Sequence, residues 1–202
     1  MTTVITSGIF MGTISNEGRQ RVIEAAAIML ASSGLRAISI REVVKFSGTP
    51  LGSAYHNFPG GKQQIITEAI IWAGAQASAQ LSACLDKDRN NGINLFLSLW
   101  RQRLVGSQYR HGCPIVAAAI ELPEEDEASE IKAAVARVFS DWQSLLAQHF
   151  ESLGHTKTSA NAMALSIIAC IEGAVVMCRG YQSIDPFDAI LECIPKLVER
   201  TL

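Results

Sequence analysis

Residues 39–62 read Ser39-Ile40-Arg41-Glu42-Val43-Val44-Lys45-Phe46-Ser47-Gly48-Thr49-Pro50-Leu51-Gly52-Ser53-Ala54-Tyr55-His56-Asn57-Phe58-Pro59-Gly60-Gly61-Lys62, and this stretch decides the fold. Ser39 with Glu42 three residues later is a capping box, so a helix is expected to start at Ile40. Ile40, Val43 and Val44 give that helix an inward face, and Ser47-Gly48 ends it. Thr49 suits the N-cap of a second short helix, with Pro50 at its first helical position, where the missing N–H costs nothing. Ala54 and Phe58 lie four apart and pack inward, while Gly52 and Ser53 leave the start of the helix small. A capped helix, a glycine turn and a short helix with a small, polar start form the construction that lays a helix N-terminus into the major groove of DNA.

Working outward, residues 1–15 show no periodicity and are expected to be an N-terminal arm. Over Asn16–Ser33, Val22, Ile23, Ala26, Met29 and Leu30 recur at helical spacing, and Gly34 supplies a left-handed stop. Residues 16–62 thus make a three-helix head. Beyond it, 63–202 read as a helical body. Helices are expected over about 62–84, 93–109, 114–121, 126–152, 159–181 and 186–200, with an acidic loop at Pro123–Glu127. No repeat and no convincing strand emerges, so the chain is expected to be all-α with about nine helices.

The bulk numbers narrow the function. With 49% hydrophobic and only 18% charged residues in 202, a folded core is expected and disorder is excluded. The net charge of −2 hides an asymmetry: 1–62 carry +3 and the remainder −5. A mildly basic head on an acidic body fits focused phosphate contact, not indiscriminate coating of nucleic acid. Five cysteines without a CxxC or a Cys/His pair at zinc spacing point to reduced thiols in a cytosol, with no metal and no cofactor. The N-terminal residues lack the positive charge and apolar run of a secretory signal. Residues 162–178 are apolar, but Glu172 interrupts them and the run is short for a span, so a buried helix, not a membrane segment, is expected.

The run from Gly48 to Lys62 resembles the signature of TetR/AcrR-family transcriptional regulators. Gly112-Cys113-Pro114, Phe139 with Trp142, and Glu172-Gly173-Ala174 are similar to the LmrA/YxaF-like branch of that family. The resemblance spans about residues 19–200. It implies a helix-turn-helix head on a ligand-binding and dimerisation body, a homodimer on a palindromic double-stranded operator, and release by a small apolar or aromatic effector. It also implies that Tyr55 and Lys62 anchor phosphates and that Ser39 sits at the phosphate-facing end of its helix. Thr49, Leu51, Ser53 and Asn57 become candidates for groove contact, with Arg41, Pro50, Ala54 and His56 beside them. Two departures from the family pattern concern operator sequence. Leu51 replaces a usual Lys and favours apolar contact with a thymine methyl. Ala54 replaces a larger Leu, a gap that Phe46 is available to fill.

In the body, Phe96, Trp100, Phe139, Trp142, Met163, Ile167, Cys170 and Met177 are candidates for an effector pocket, although such stripes are often ordinary core. Glu172, Gly173, Val176, Ile190, Ile194, Leu197 and Val198 are candidates for a dimer seam formed by the last two long helices. Gly173 and Ala174 would allow close approach there. A carboxylate such as Glu172 within an apolar helix needs a partner: Arg179, Arg103, a second chain or a ligand donor. Cys113 at a helix start admits a thiol-redox-responsive regulator as an alternative to simple packing. A helical cysteine-dependent enzyme is the rival from another class, but no oxyanion loop or phosphate-binding glycine loop accompanies the cysteines.

Overall fold

The computed structural model describes residues 8–121 and 129–199, with side-chain surroundings over 16–121 and 129–195. Among these residues the chain forms nine helices and no strand. They are α1 (Gly8–Ser33), α2 (Ile40–Ser47), α3 (Leu51–Asn57), α4 (Gly61–Lys87), α5 (Gly92–Gly106), α6 (Pro114–Ile120), α7 (Ser129–Ser152), α8 (Lys157–Tyr181) and α9 (Asp185–Glu199). Helix α1 begins at Gly8, ahead of the expected start near Asn16. The first seven residues of the expected arm and the Pro123–Glu127 loop lie outside the described residues.

Local chemistry sets the boundaries in the head. Ser39 Oγ accepts the Glu42 amide at 3.2 Å, so α2 starts where its capping residue stands. Gly34 and Gly48 hold φ of +79° and +66°, the left-handed conformation that ends α1 and α2. One boundary differs from expectation. Pro50, not Thr49, is the N-cap of α3, and the first helical residue is Leu51. Thr49 is instead buried beneath the turn, and its Oγ1 has no hydrogen-bond partner among the described residues.

The head and the body share one continuous core. Val22, Ala26 and Leu30 of α1 meet Leu35, Ile38, Val43 and Phe58, and the same cluster runs through Ile65, Ile66 and Ile70 of α4 into the body. Helix α4 is therefore both the floor of the head and a strut of the body. It packs against α1, α5, α6 and α7, while α7 packs on α8, and α8 on α9. The α4–α7 contact is close because Gly74 faces Val138; a Cβ on Gly74 would meet the two Val138 methyl carbons at 2.5 and 2.6 Å. Trp142 Nε1 donates to the Gly74 carbonyl at 3.2 Å and locks that crossing. At the far end, Arg101 of α5 grips Asp188 of α9 with bonds of 2.7 and 2.9 Å, and the guanidinium holds the Asp188 carboxyl below its usual range.

Candidate nucleic-acid interface and effector cleft

Helix α3 is held from beneath. Ala54 is fully buried and Phe58 is 1% exposed, with the Arg19 guanidinium 5.1 Å from the Phe58 ring centroid. Arg19 also pairs with Glu68 of α4, whose Oε1 accepts from Gln64 at 2.9 Å. Gln64 Oε1 in turn accepts the Gly60 amide at 2.9 Å, which fixes the Pro59-Gly60-Gly61 turn. Gly61, at φ +63°, lies beside Ile40, so the start of α4 and the start of α2 sit together. This frame leaves Ser39, Arg41, Pro50, Leu51, Tyr55, His56 and Lys62 exposed, and Ser53 and Asn57 half-buried. Asn57 Nδ2 donates to Ser53 Oγ at 3.2 Å, so the two act as a unit. The outward set carries donors suited to phosphate, among them Arg41, Tyr55 and Lys62, and a small, partly apolar edge suited to base methyls.

A cleft of about 510 Å³ opens between α1, α4, α5, α7 and the turn before α6. Trp72, Trp100 and Trp142 wall it, and Arg103 and His111 lie along it. An inner cavity of about 30 Å³ shares Trp100 and Trp142 with the cleft and ends at Glu172. Cys113, at the base of α6, hydrogen-bonds the Glu172 carboxyl. Burial raises the Glu172 carboxyl to about 7 against the opposing Cys113 hydrogen bond, and its Oε2 has no partner among the described residues. Burial, followed by the charge of Glu172, pushes the Cys113 thiol well up. The cleft touches the end of α1 directly. Gly112 N donates to the Ala31 carbonyl at 2.8 Å, and Arg179 donates to the Ala31 and Ser32 carbonyls at 3.2 and 3.0 Å. Glu121 Oε2 accepts the Arg36 amide at 2.8 Å, a second tie between α6 and the head.

A family profile described as transcriptional regulator LmrA/YxaF-like, C-terminal domain, matches residues 90–193. An HTH-type transcriptional regulator of Mycobacterium tuberculosis is 33% identical over 178 residues, covering 85% of this chain and 89% of its own. The chain belongs to the LmrA/YxaF-like branch of the TetR family. LmrA of Bacillus subtilis, an HTH-type transcriptional regulator, is 25% identical over 186 residues, covering 91% of this chain and 98% of its own. The fold is shared with a TetR regulatory protein from Rhodobacter sphaeroides at a TM-score of 0.78 and 21% identity, covering 89% of this chain and 98% of that one. This TetR-family member is thus a transcriptional regulator and not an enzyme.

Against this frame, several expected site residues of the regulator move. Thr49 is 6% exposed and Ala54 fully buried, so neither reaches a groove; both hold α3 in place from inside. Phe46 is 59% exposed and fills no gap beside Ala54. Of the pocket candidates, Phe96, Trp100 and Trp142 line the cavities. Phe139 stacks edge-on to Trp142 at 5.7 Å, and Met163 and Ile167 pack in the core without lining either cavity. Cys170 is half-buried and lines neither, and Met177 is exposed on the outer face of α8. Of the seam candidates, Gly173 and Val176 face outward and Ile190 is half-buried, whereas Ile194 is 2% exposed and Ala174 4%, both inside their own chain. Glu172 is half-buried and lines the inner cavity. Leu197 and Val198 lie outside the residues with described side chains. The raised Cys113 thiol is buried and protonated, which removes the thiolate that the redox reading of this regulator needs. Arg179 is one of the four partners that the sequence offers for Glu172. It clamps α1 instead, a role with no signature in sequence because its acceptors are backbone carbonyls.

Proposed function

We propose that the protein is a homodimeric, cytosolic repressor that holds a palindromic operator through two copies of α3 and lets go when a small apolar or aromatic effector fills the cleft. The observation carrying this reading is that cleft and head meet at one place: Gly112 lines the cleft and donates to the Ala31 carbonyl, and Arg179, packed against Gly112, holds the Ala31 and Ser32 carbonyls. A ligand that shifts the turn before α6 therefore shifts the end of α1, and with it the angle of the head. The operator equilibrium moves only as far as the ligand's differential affinity for the two arrangements.

Dimerisation is supported by the outward face of α8. Leu165, Gly173, Val176, Met177 and Tyr181 are exposed along it. The helix has a mean hydropathy of 1.9 over its most apolar window, yet only 39% of that window is buried within the chain. An apolar face of that extent is covered most simply by a second copy related by a two-fold axis. Two recognition helices at about 34–36 Å would then meet successive major grooves. Leu51, Ser53 and Asn57 would read bases, while Ser39, Arg41, Tyr55, His56 and Lys62 would face phosphate.

The test is to titrate aromatic compounds against operator-bound protein while following tryptophan fluorescence, since all three tryptophans of the chain wall the cleft. Occupancy of the cleft should lower operator affinity by about 5- to 150-fold, the usual range of allosteric coupling. Arg179→Ala should bind the same compound and lose most of that coupling. A compound that saturates the cleft and leaves the DNA complex unchanged contradicts the release mechanism.

A further inference from the structure

The two motifs that mark the branch, Gly112-Cys113-Pro114 and Glu172-Gly173-Ala174, are sixty residues apart in sequence and meet where Cys113 hydrogen-bonds the Glu172 carboxyl. Their meeting leaves a carboxyl with an unused acceptor inside an apolar enclosure. We propose that Glu172 is the recognition point for a protonated amine carried by an aromatic effector, the ammonium head entering the inner cavity and the ring lying in the tryptophan-walled cleft. The inference rests on reading the cleft as the effector site and names the chemistry that site selects.

Size, shape and charge agree. The inner cavity, at about 30 Å³, admits a group no larger than one or two waters, which suits an ammonium and not a ring. The outer cleft, at about 510 Å³, lies in the range of small-molecule sites and shares Trp100 and Trp142 with the inner cavity. The inner walls are otherwise Ala77, Leu81, Phe96, Leu146, Ile168 and Ile171, with no donor among them. Aromatic faces attract a cation, and Arg103 already stands 5.7 Å from the Trp100 ring centroid at the cleft side. The charged and titratable groups around Glu172 do not neutralise it. Cys113 faces it from the base of α6 with a neutral thiol, Arg179 two turns further along α8 is committed to the α1 carbonyls, and Glu121, which borders a separate hollow with Glu172, accepts from the Arg36 amide and brings no positive charge. His111 and Arg103 line the outer cleft but not the inner cavity. An ammonium supplies both the missing donor and the missing charge.

Calorimetry on the full chain without DNA tests this, using 2-naphthylmethylamine, the neutral isostere 2-naphthalenemethanol and the anion 2-naphthoate. At pH 8 the amine should bind about tenfold or more tightly than the alcohol, and the anion weakest. Between pH 6 and pH 8 the affinity of the amine should rise by up to about tenfold as Glu172 ionises, while that of the alcohol changes less. Glu172→Gln should remove both the preference for amine and its pH dependence. Equal binding of amine and alcohol, a preference for the anion, or failure of all three to bind would overturn the proposal. So would a preference for amine that survives Glu172→Gln. The wild-type pH series stands by itself if the variant folds poorly. A compound that binds with the expected preference yet leaves the operator complex intact contradicts only the release mechanism, which keeps the two readings separable.

Discussion

Single residues in this protein are read correctly from sequence when their role is local. Ser39 is a helix cap because its hydroxyl needs only the Glu42 amide three residues on. Thr49 and Ala54 were misplaced for the opposite reason: whether a side chain at the start of a short helix faces a groove or the core depends on which elements pack beneath it. The phosphate role proposed for Lys62 has a direct measure. Lys62→Ala should weaken binding to all duplexes alike and reduce the slope of log K against log salt by about one; an unchanged slope refutes the contact. Glu172 carries a stability signature of its own. Its carboxyl is raised from the ordinary 4.5 to about 7, so the fold favours the protonated form. That favour is fully present below the unfolded-state value and is lost as pH rises through about 7. Glu172→Gln should therefore be more stable relative to wild type at pH 8.5 than at pH 5.5, by about 2 kcal/mol. Parallel melting curves at the two pH values would show Glu172 to be solvated instead.

Helices were legible wherever periodicity and stop signals coincided. Val22, Ala26 and Leu30 announced α1 through their spacing, and Gly34 announced its end. What sequence did not reveal was which face of α8 turns outward. Apolar residues surround that helix, so periodicity alone does not separate Ile167 and Ala174 on the inside from Val176 and Met177 on the outside. Contacts between helices distant in sequence were equally hidden, among them the close crossing of α4 and α7 at Gly74. Helix propensity alone makes Gly74→Ala stabilising by about 1 kcal/mol. The distance of 2.5 Å to a Val138 methyl reverses the sign, because a valine methyl in a packed core cannot withdraw far. A loss of about 1–3 kcal/mol is expected on thermal or urea melting, partly restored by Val138→Ala in the same chain. A gain in stability would mean that α4 and α7 lie further apart.

At the scale of the whole molecule, a single core joins the head to the body, and the cleft reaches the end of α1 at Ala31. The outward face of α8 is the apolar surface through which the proposed pairing of two such chains would run. The proposed function then depends on geometry that no single helix holds: two copies of α3 set one turn of DNA apart by a seam between bodies. Selection of bound duplexes from a random pool, with the molar ratio of protein to DNA measured for the winners, tests that arrangement most directly. An inverted repeat with half-site centres about 10 base pairs apart, occupied by whole numbers of dimers, is the expected result. Enrichment of no duplex, or of a single half-site bound by one chain, would contradict it.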